Sequence, residues 1–251
     1  MNEEIAINTD KQPMPLHYTA DLEKVTQQTH DVKTLHFTMV SPPRIGFVAG
    51  QFISIEITET KDGRRRTNNR AYSIASAPEE AEQIDLCVNW VRGGPGSNYL
   101  HSLCLGDRIS FLPPMGDFTV KPVGHALVFV ATGVGIAPIR SMIRHRLAAN
   151  DPRPMILLWG LRREEDIYYQ EEFSEMEKRH PQFRSVTTLS KPSSGWTGAR
   201  GRVTDLLPEH VKGISGVQVY LCGSGAMIRD ARILLQEGGL PKSAIHYERF
   251  F

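Results

Sequence analysis

Cysteine is scarce. The 251 residues hold three, Cys87, Cys104 and Cys222, without C-x-x-C spacing. Three thiols cannot supply the four that an iron–sulfur cluster takes from one chain, and they outline no disulfide framework. Cys87 and Cys104 read as small buried hydrophobes. Long apolar runs are also missing: none approaches the roughly 20 residues of a membrane span. Residues 1–15 lack the basic-then-apolar order of a secretory signal. Charge of one sign is missing as well. With 29 Lys and Arg against 28 Asp and Glu, the net +1 gives no bulk pull toward nucleic acid or an anionic membrane. No G-x-S-x-G elbow, Gly-Lys-Ser/Thr phosphate loop or metal-type His or Cys/His spacing occurs. What is present, 40% apolar and 23% charged residues, describes a globular protein of one large or two ordinary domains, and with neither signal nor span the expected compartment is the cytoplasm.

The chain changes style once. Residues 1–15 are polar, carry Pro13 and Pro15, and read as a loose tail. From 16 to 122 the pattern is short, alternating and β-rich, with candidate strands at 18–25, 34–40, 51–57, 71–75, 84–91 and 108–112. The alternation of Ile84, Leu86, Val88 and Trp90 predicts a half-buried strand. Six such strands with little helix predict an antiparallel six-stranded β-barrel. After Lys121 and Pro122, strand and helix patterns alternate. Strands are expected at 127–131, 155–159, 183–189, 217–221 and 245–250. The helices between them include 168–178, a weaker one at 203–207, and 226–237. That alternation predicts a second domain, 123–251, with a parallel sheet flanked by helices.

Four stretches carry the chemistry. In 126–138 an unbroken apolar run meets Thr132, Gly133 and Gly135 and opens into a helix through Pro138. A strand buried on both faces, a tight glycine turn and a helix start aim free N–H groups at one spot, which is a phosphate seat. In 70–76, Arg70, Tyr72 and Ser73 put a cation, a ring and a hydroxyl within four positions. Alternation places Arg70 and Tyr72 on one face and Ser73 on the other, whereas a bend in the strand would bring all three to one ligand. In 91–100 a strand ends in Gly93 and Gly94, and Ser97 is expected to cap the following helix, giving a second anion seat. In 220–227 another buried strand opens through glycine into a helix. It puts Cys222 at the carboxyl end of a parallel strand, where such sheets bind ligands.

Together and in this order, from about Tyr18 to the end, these stretches resemble the ferredoxin–NADP reductase family. Its motifs stand here as Arg70-x-Tyr72-Ser73, Gly94-x-x-Ser97-x-x-Leu100, Pro114-x-Gly116-Asp117-Phe118, Thr132-Gly133-x-Gly135-x-Ala137-Pro138, Cys222-Gly223 with Met227, and Glu248-x-Phe250. The resemblance implies a flavin barrel followed by a nucleotide-binding α/β domain. It implies that Arg70 binds flavin phosphate, Tyr72 packs on the flavin and Ser73 lies near its N5. Gly94 and Ser97 then sit at the flavin's phosphate or pyrophosphate. Thr132, Gly133 and Gly135 hold the nicotinamide dinucleotide, and Cys222 and Glu248 flank the transfer point. Phe250, with Phe251 at the chain end, is expected to cover the flavin face that nicotinamide must reach. Ser224 stands where many relatives have Pro. Asn89 stands where they often have a basic residue.

FAD is expected over FMN, because the corner at Gly94 leaves room for a pyrophosphate. NADPH is expected over NADH, because the strand 183–189 ends at Ser190 and Lys191, with Arg200 and Arg202 nearby and no acidic residue to pair with a 2′-hydroxyl. Electrons are expected to leave to a separate ferredoxin, flavodoxin or other redox protein. Arg64, Arg65 and Arg66, and the helix residues Arg140, Arg144 and Arg146, are candidate docking patches for such an acidic partner. Reduction of free flavin is the alternative enzyme reading, and a redox-inactive interaction subunit the alternative of another class.

Overall fold

The computed structural model describes the backbone of residues 17–61 and 64–250, and the side chains of all of these except 59–61 and 64–66. The tail expected at 1–15, the Arg64–Arg66 side chains and Phe251 lie outside the described residues.

Six strands build the first sheet: β1 (Tyr18–Gln27), β2 (Val32–Ser41), β3 (Phe52–Lys61), β4 (Arg64–Ser73), β5 (Gln83–Asn89) and β6 (Arg108–Met115). Every pairing is antiparallel, in the order β4-β3-β6-β1-β2-β5. A bridge between Ile74 and Leu86 brings the end of β4 round to β5, so the sheet curls on itself into a barrel. Period-two alternation explains the filling. Ile53, Ile55 and Ile57 of β3 and Leu35 and Phe37 of β2 point inward, each at most 1% exposed. One helix, α1 (Pro95–Ser102), interrupts the strands between β5 and β6.

The second sheet is parallel throughout: β7 (Ala126–Thr132), β8 (Met155–Leu161), β9 (Phe183–Leu189), β10 (Ala199–Arg200), β11 (Val217–Ser224) and β12 (Ile245–Phe250). Its order is β10-β9-β8-β7-β11-β12. Four helices cover it, α2 (Ile136–Ala148), α3 (Gln170–Arg179), α4 (Val203–Val211) and α5 (Gly225–Glu237). Both faces of β7 are buried. Leu127, Phe129 and Ala131 pack with α2 and α3, while Ala126, Val128 and Val130 pack with α4 and α5. That double burial is why β7 reads as a continuous apolar run. From β7 the chain winds to β8 on one side and later returns as β11 on the other, so the switch point lies between β7 and β11. Among the described residues no helix is long and apolar enough to cross a membrane.

Helix α2 lies between the sheet and the barrel. Its Ile139, Met142 and Ile143 share one core with Val32, Ala75, Cys87 and Phe118 from the barrel side. This seam corrects two expectations. Strand β5 is not half-buried: Ile84, Asp85, Leu86, Cys87 and Val88 are all buried, because the barrel takes one face and the seam the other. Trp90 falls beyond the strand and is 46% exposed. Nor does Arg140 belong to an exposed docking patch. It is 7% exposed and donates to the Ala75 carbonyl at 2.8 Å, to Asp85 at 3.0 Å and to Glu172 at 2.9 Å, with its guanidinium 4.7 Å above the Tyr169 ring. Arg144 pairs with Glu80 and Arg146 with Asp151, so this helix face spends its cations internally.

Candidate functional site

The barrel offers a cradle at the end of β4. Arg70 and Tyr72 are half-buried, and α1 runs directly against them. A Cβ on Gly96 would stand 2.4 Å from the Tyr72 hydroxyl and 3.0 Å from Arg70 Cγ, so only glycine lets the helix start come this close. Burial pushes the Tyr72 phenol up to about 12, against the opposing charge of Arg70, so the ring stays neutral. Ser97 departs from its expected role. Its hydroxyl accepts from the Val91 N–H at 3.1 Å and donates to the Gly94 carbonyl at 3.1 Å, tying the glycine corner together; Gly94 is the N-cap and makes no side-chain cap. The first N–H groups of α1 are therefore not claimed by a hydroxyl cap. A neutral ring, a guanidinium and an open helix start form a donor set that fits a flavin phosphate or pyrophosphate.

A cavity of about 720 Å³ opens at the carboxyl edge of the parallel sheet. Thr132 lines it from the end of β7 and Gly133 and Gly135 from the turn that follows, with Gly223 and Ser224 from β11, at the switch point. The two strand ends are locked together. A Cβ on Gly135 would meet the Cys222 carbonyl oxygen at 2.4 Å, and the Ser224 N–H donates to Thr132 Oγ1 at 3.0 Å. Ser224 caps α5 by accepting from the Met227 N–H at 3.2 Å. Proline has no N–H to donate to Thr132 and no hydroxyl for this cap, so the departure at 224 is a working part of the turn. Ser190 lines the same cavity at the end of β9, and Lys191 beside it is exposed. Reading by sequence missed Arg162, which lines the cavity just past β8; any side chain directly after a parallel strand is a candidate there. It also missed Asp31, which reaches the cavity from the barrel's β1–β2 turn.

The two seats meet at β12. Parallel pairing puts Cys222 in register with Glu248 and Ser224 with Phe250. The Ser73 hydroxyl, 175 positions earlier, donates to Glu248 Oε1 at 3.1 Å. Burial raises the Glu248 carboxyl above its ordinary value, and the Ser73 bond only partly offsets this. Cys222 is 0% exposed, and its thiol lies well above its usual range, through burial first and the nearby Glu248 charge second. A thiol held neutral cannot serve as a thiolate nucleophile. Phe250 is partly buried against the core beneath the cavity and lines it. The fold thus brings Ser73, Cys222, Glu248 and Phe250 to one place, between the Arg70–Tyr72 cradle and the glycine-lined cavity.

Two anion seats on separate halves, joined by a part-buried hydroxyl–carboxylate contact, are what an oxidoreductase needs to pass electrons between two nucleotide cofactors. Comparison with known proteins agrees. The profile of the oxidoreductase FAD-binding domain matches residues 19–120, and that of the oxidoreductase NAD-binding domain matches residues 129–232. Ferredoxin–NADP reductase B of Sorangium cellulosum is 35% identical over 241 residues, 93% of this chain and 97% of that protein. The reductase component of propane 2-monooxygenase from Mycolicibacterium smegmatis is 30% identical over 237 residues, which cover 91% of this chain and 66% of the relative. In fold, a ferredoxin–NADP+ reductase from Neisseria gonorrhoeae, solved with FAD and NADP, superposes with a TM-score of 0.81 at 22% identity, covering 94% of this chain and 100% of that one. The chain belongs to the ferredoxin–NADP reductase family of FAD- and NAD(P)-dependent oxidoreductases.

Proposed function

We propose that this chain is an electron-transfer reductase, with 16–122 as its flavin domain and 123–251 as its dinucleotide domain. It draws electrons from NADPH in preference to NADH and delivers them singly to a separate ferredoxin- or flavodoxin-type protein. Bound FAD supplies the exchange between two-electron and one-electron transfer. The remaining work falls to side chains. Arg70 and the start of α1 neutralise flavin phosphates, and Tyr72 packs against the ring system. Thr132, Gly133 and Gly135 seat the dinucleotide pyrophosphate. Ser190, Lys191 and Arg162 recognise the adenosine end, where a cation favours a 2′-phosphate. Phe250 shields the transfer point from water and must yield when nicotinamide enters. Glu248 holds a proton more readily than an exposed carboxylate, and Ser73 fixes the orientation of its Oε1.

The observation that carries this reading is the Ser73–Glu248 bond, because it joins the cradle of one half to the cavity of the other. The choice of a one-electron protein acceptor draws on the names of the Sorangium and Mycolicibacterium relatives. The test is reduction of an acidic ferredoxin by the FAD-loaded chain with NADPH or NADH. Carrier reduction that depends on both flavin and dinucleotide supports the reading. Rapid reduction of added free flavin, with no reduction of any carrier, refutes the assignment of the acceptor.

A further inference from the structure

Trp159 sits in β8, 1% exposed, and nothing in its sequence context marks it as more than core. Its indole is wedged edge-on against Tyr168 at 4.7 Å and against Phe173 at 6.1 Å. One polar atom needs a partner in that apolar setting, and it finds a specific one. Nε1–H donates to the Gly133 carbonyl at 3.1 Å. Gly133 is the first residue of the turn that opens the dinucleotide cavity, and its φ of +52° is a value that L side chains rarely adopt. Its carbonyl also accepts the Ile136 N–H, so two donors converge on one oxygen.

The consequence follows from peptide geometry. The bond between Gly133 and Val134 is trans, and a planar trans peptide points its C=O and its N–H in opposite directions. Drawing the Gly133 oxygen inward toward Trp159 therefore turns the Val134 N–H outward, on the side of the cavity that Gly133, Val134 and Gly135 line. In the first turn of a helix such an N–H has no intrahelical acceptor. We infer that Trp159 is a positioning residue for the dinucleotide. Its indole N–H fixes the Gly133–Val134 peptide so that the Val134 N–H is presented to the pyrophosphate. Glycine permits the peptide to adopt this turn, and it equally permits other orientations; the indole selects one.

The inference rests on the reading of this cavity as the dinucleotide site, and its test keeps the two apart. Two variants remove the donor while keeping an aromatic ring. One is Trp159→Phe. The other places β-(3-benzothienyl)alanine at position 159, with sulfur in place of the N–H and the bicyclic shape retained. Calorimetric titration of the FAD-loaded proteins with NADP+ measures binding without turnover, and 2′-AMP, which has the adenosine end but no pyrophosphate, is the control ligand. The expected result is NADP+ binding weakened about tenfold, the scale of one hydrogen bond to a charged acceptor. Binding of 2′-AMP and flavin content stay unchanged. NADP+ affinity equal to that of the unaltered chain in the benzothienyl variant overturns the inference. So does an equal loss for NADP+ and 2′-AMP, which would mean that the ring only supports the cavity wall. If the unaltered chain binds neither NADP+ nor NAD+, the cavity assignment fails and the inference goes with it.

Discussion

Replacing Arg140 by Met tests the seam between barrel and sheet. The Met side chain occupies much of the volume of the arginine stem, so the loss is mainly polar. It leaves the Ala75 carbonyl without its donor, and it leaves Asp85, 7% exposed, with the His36 ring as its remaining side-chain partner at 2.7 Å. Glu172 loses less, because its side chain is 25% exposed and can rehydrate. Removing one partner of a buried ion pair costs about 3–5 kcal/mol, against at most about 1 kcal/mol for an exposed pair. The expected loss of unfolding free energy in a urea titration at neutral pH is therefore about 3–5 kcal/mol. The double variant Arg140→Met, Asp85→Leu removes both buried charges and should recover part of that loss. The pH dependence carries a sign. Burial alone would raise the Asp85 carboxyl, but the bond from His36 and the charge of Arg140 outweigh it and hold the group below its ordinary value. Its contribution is present above the ordinary aspartate range and lost as pH falls through the depressed folded value, so the single variant should show a shallower acid limb. A loss under about 1 kcal/mol, with an unchanged acid limb, would refute the claim that Arg140 and Asp85 form a buried pair at this seam.

Further substitutions probe the two seats. Arg70→Ala should weaken FAD binding ten- to a hundredfold, about 1.5–3 kcal/mol for one charge-assisted bond, as read by flavin fluorescence titration; unchanged affinity removes Arg70 from the site. Gly96→Ala pushes a Cβ toward the Tyr72 hydroxyl and should lower flavin occupancy in the purified protein, and full occupancy would contradict the close approach. Glu248→Gln should lower turnover and flatten the stability profile. A carboxyl whose folded value is raised contributes stability at low pH that is lost as pH rises through that value, so the Gln variant should gain relative stability near neutral pH. Lys191→Glu should shift the ratio of kcat/KM from NADPH toward NADH by about ten- to a hundredfold; an unmoved ratio would leave Lys191 without a part in selectivity.

Local pattern carried much of this molecule. The β7 run, the glycine turn at 133–135 and the extents of β9 and β12 were legible because each is set by neighbours a few positions away. What escaped was long-range. Nothing local distinguishes Arg140 from a surface arginine, since its burial comes from a barrel that packs on α2. The same packing turned β5 from a half-buried strand into one covered on both faces. Ser97 has the right residue type for a cap, but the Val91 backbone competes for its hydroxyl and wins. The two-residue strand β10 is too short to have a period. The contact of Ser73 with Glu248 spans 175 positions, so no local pattern marks it and only the family resemblance anticipates it.

The most direct test of the whole account is an anaerobic titration of the FAD-loaded chain with NADPH, followed by flavin absorbance and then by addition of an oxidised one-electron carrier. Stoichiometric bleaching of the flavin, with its colour restored as the carrier becomes reduced, is the expected result. A chain that retains no flavin, or whose flavin stays oxidised under excess NADPH and NADH alike, contradicts it.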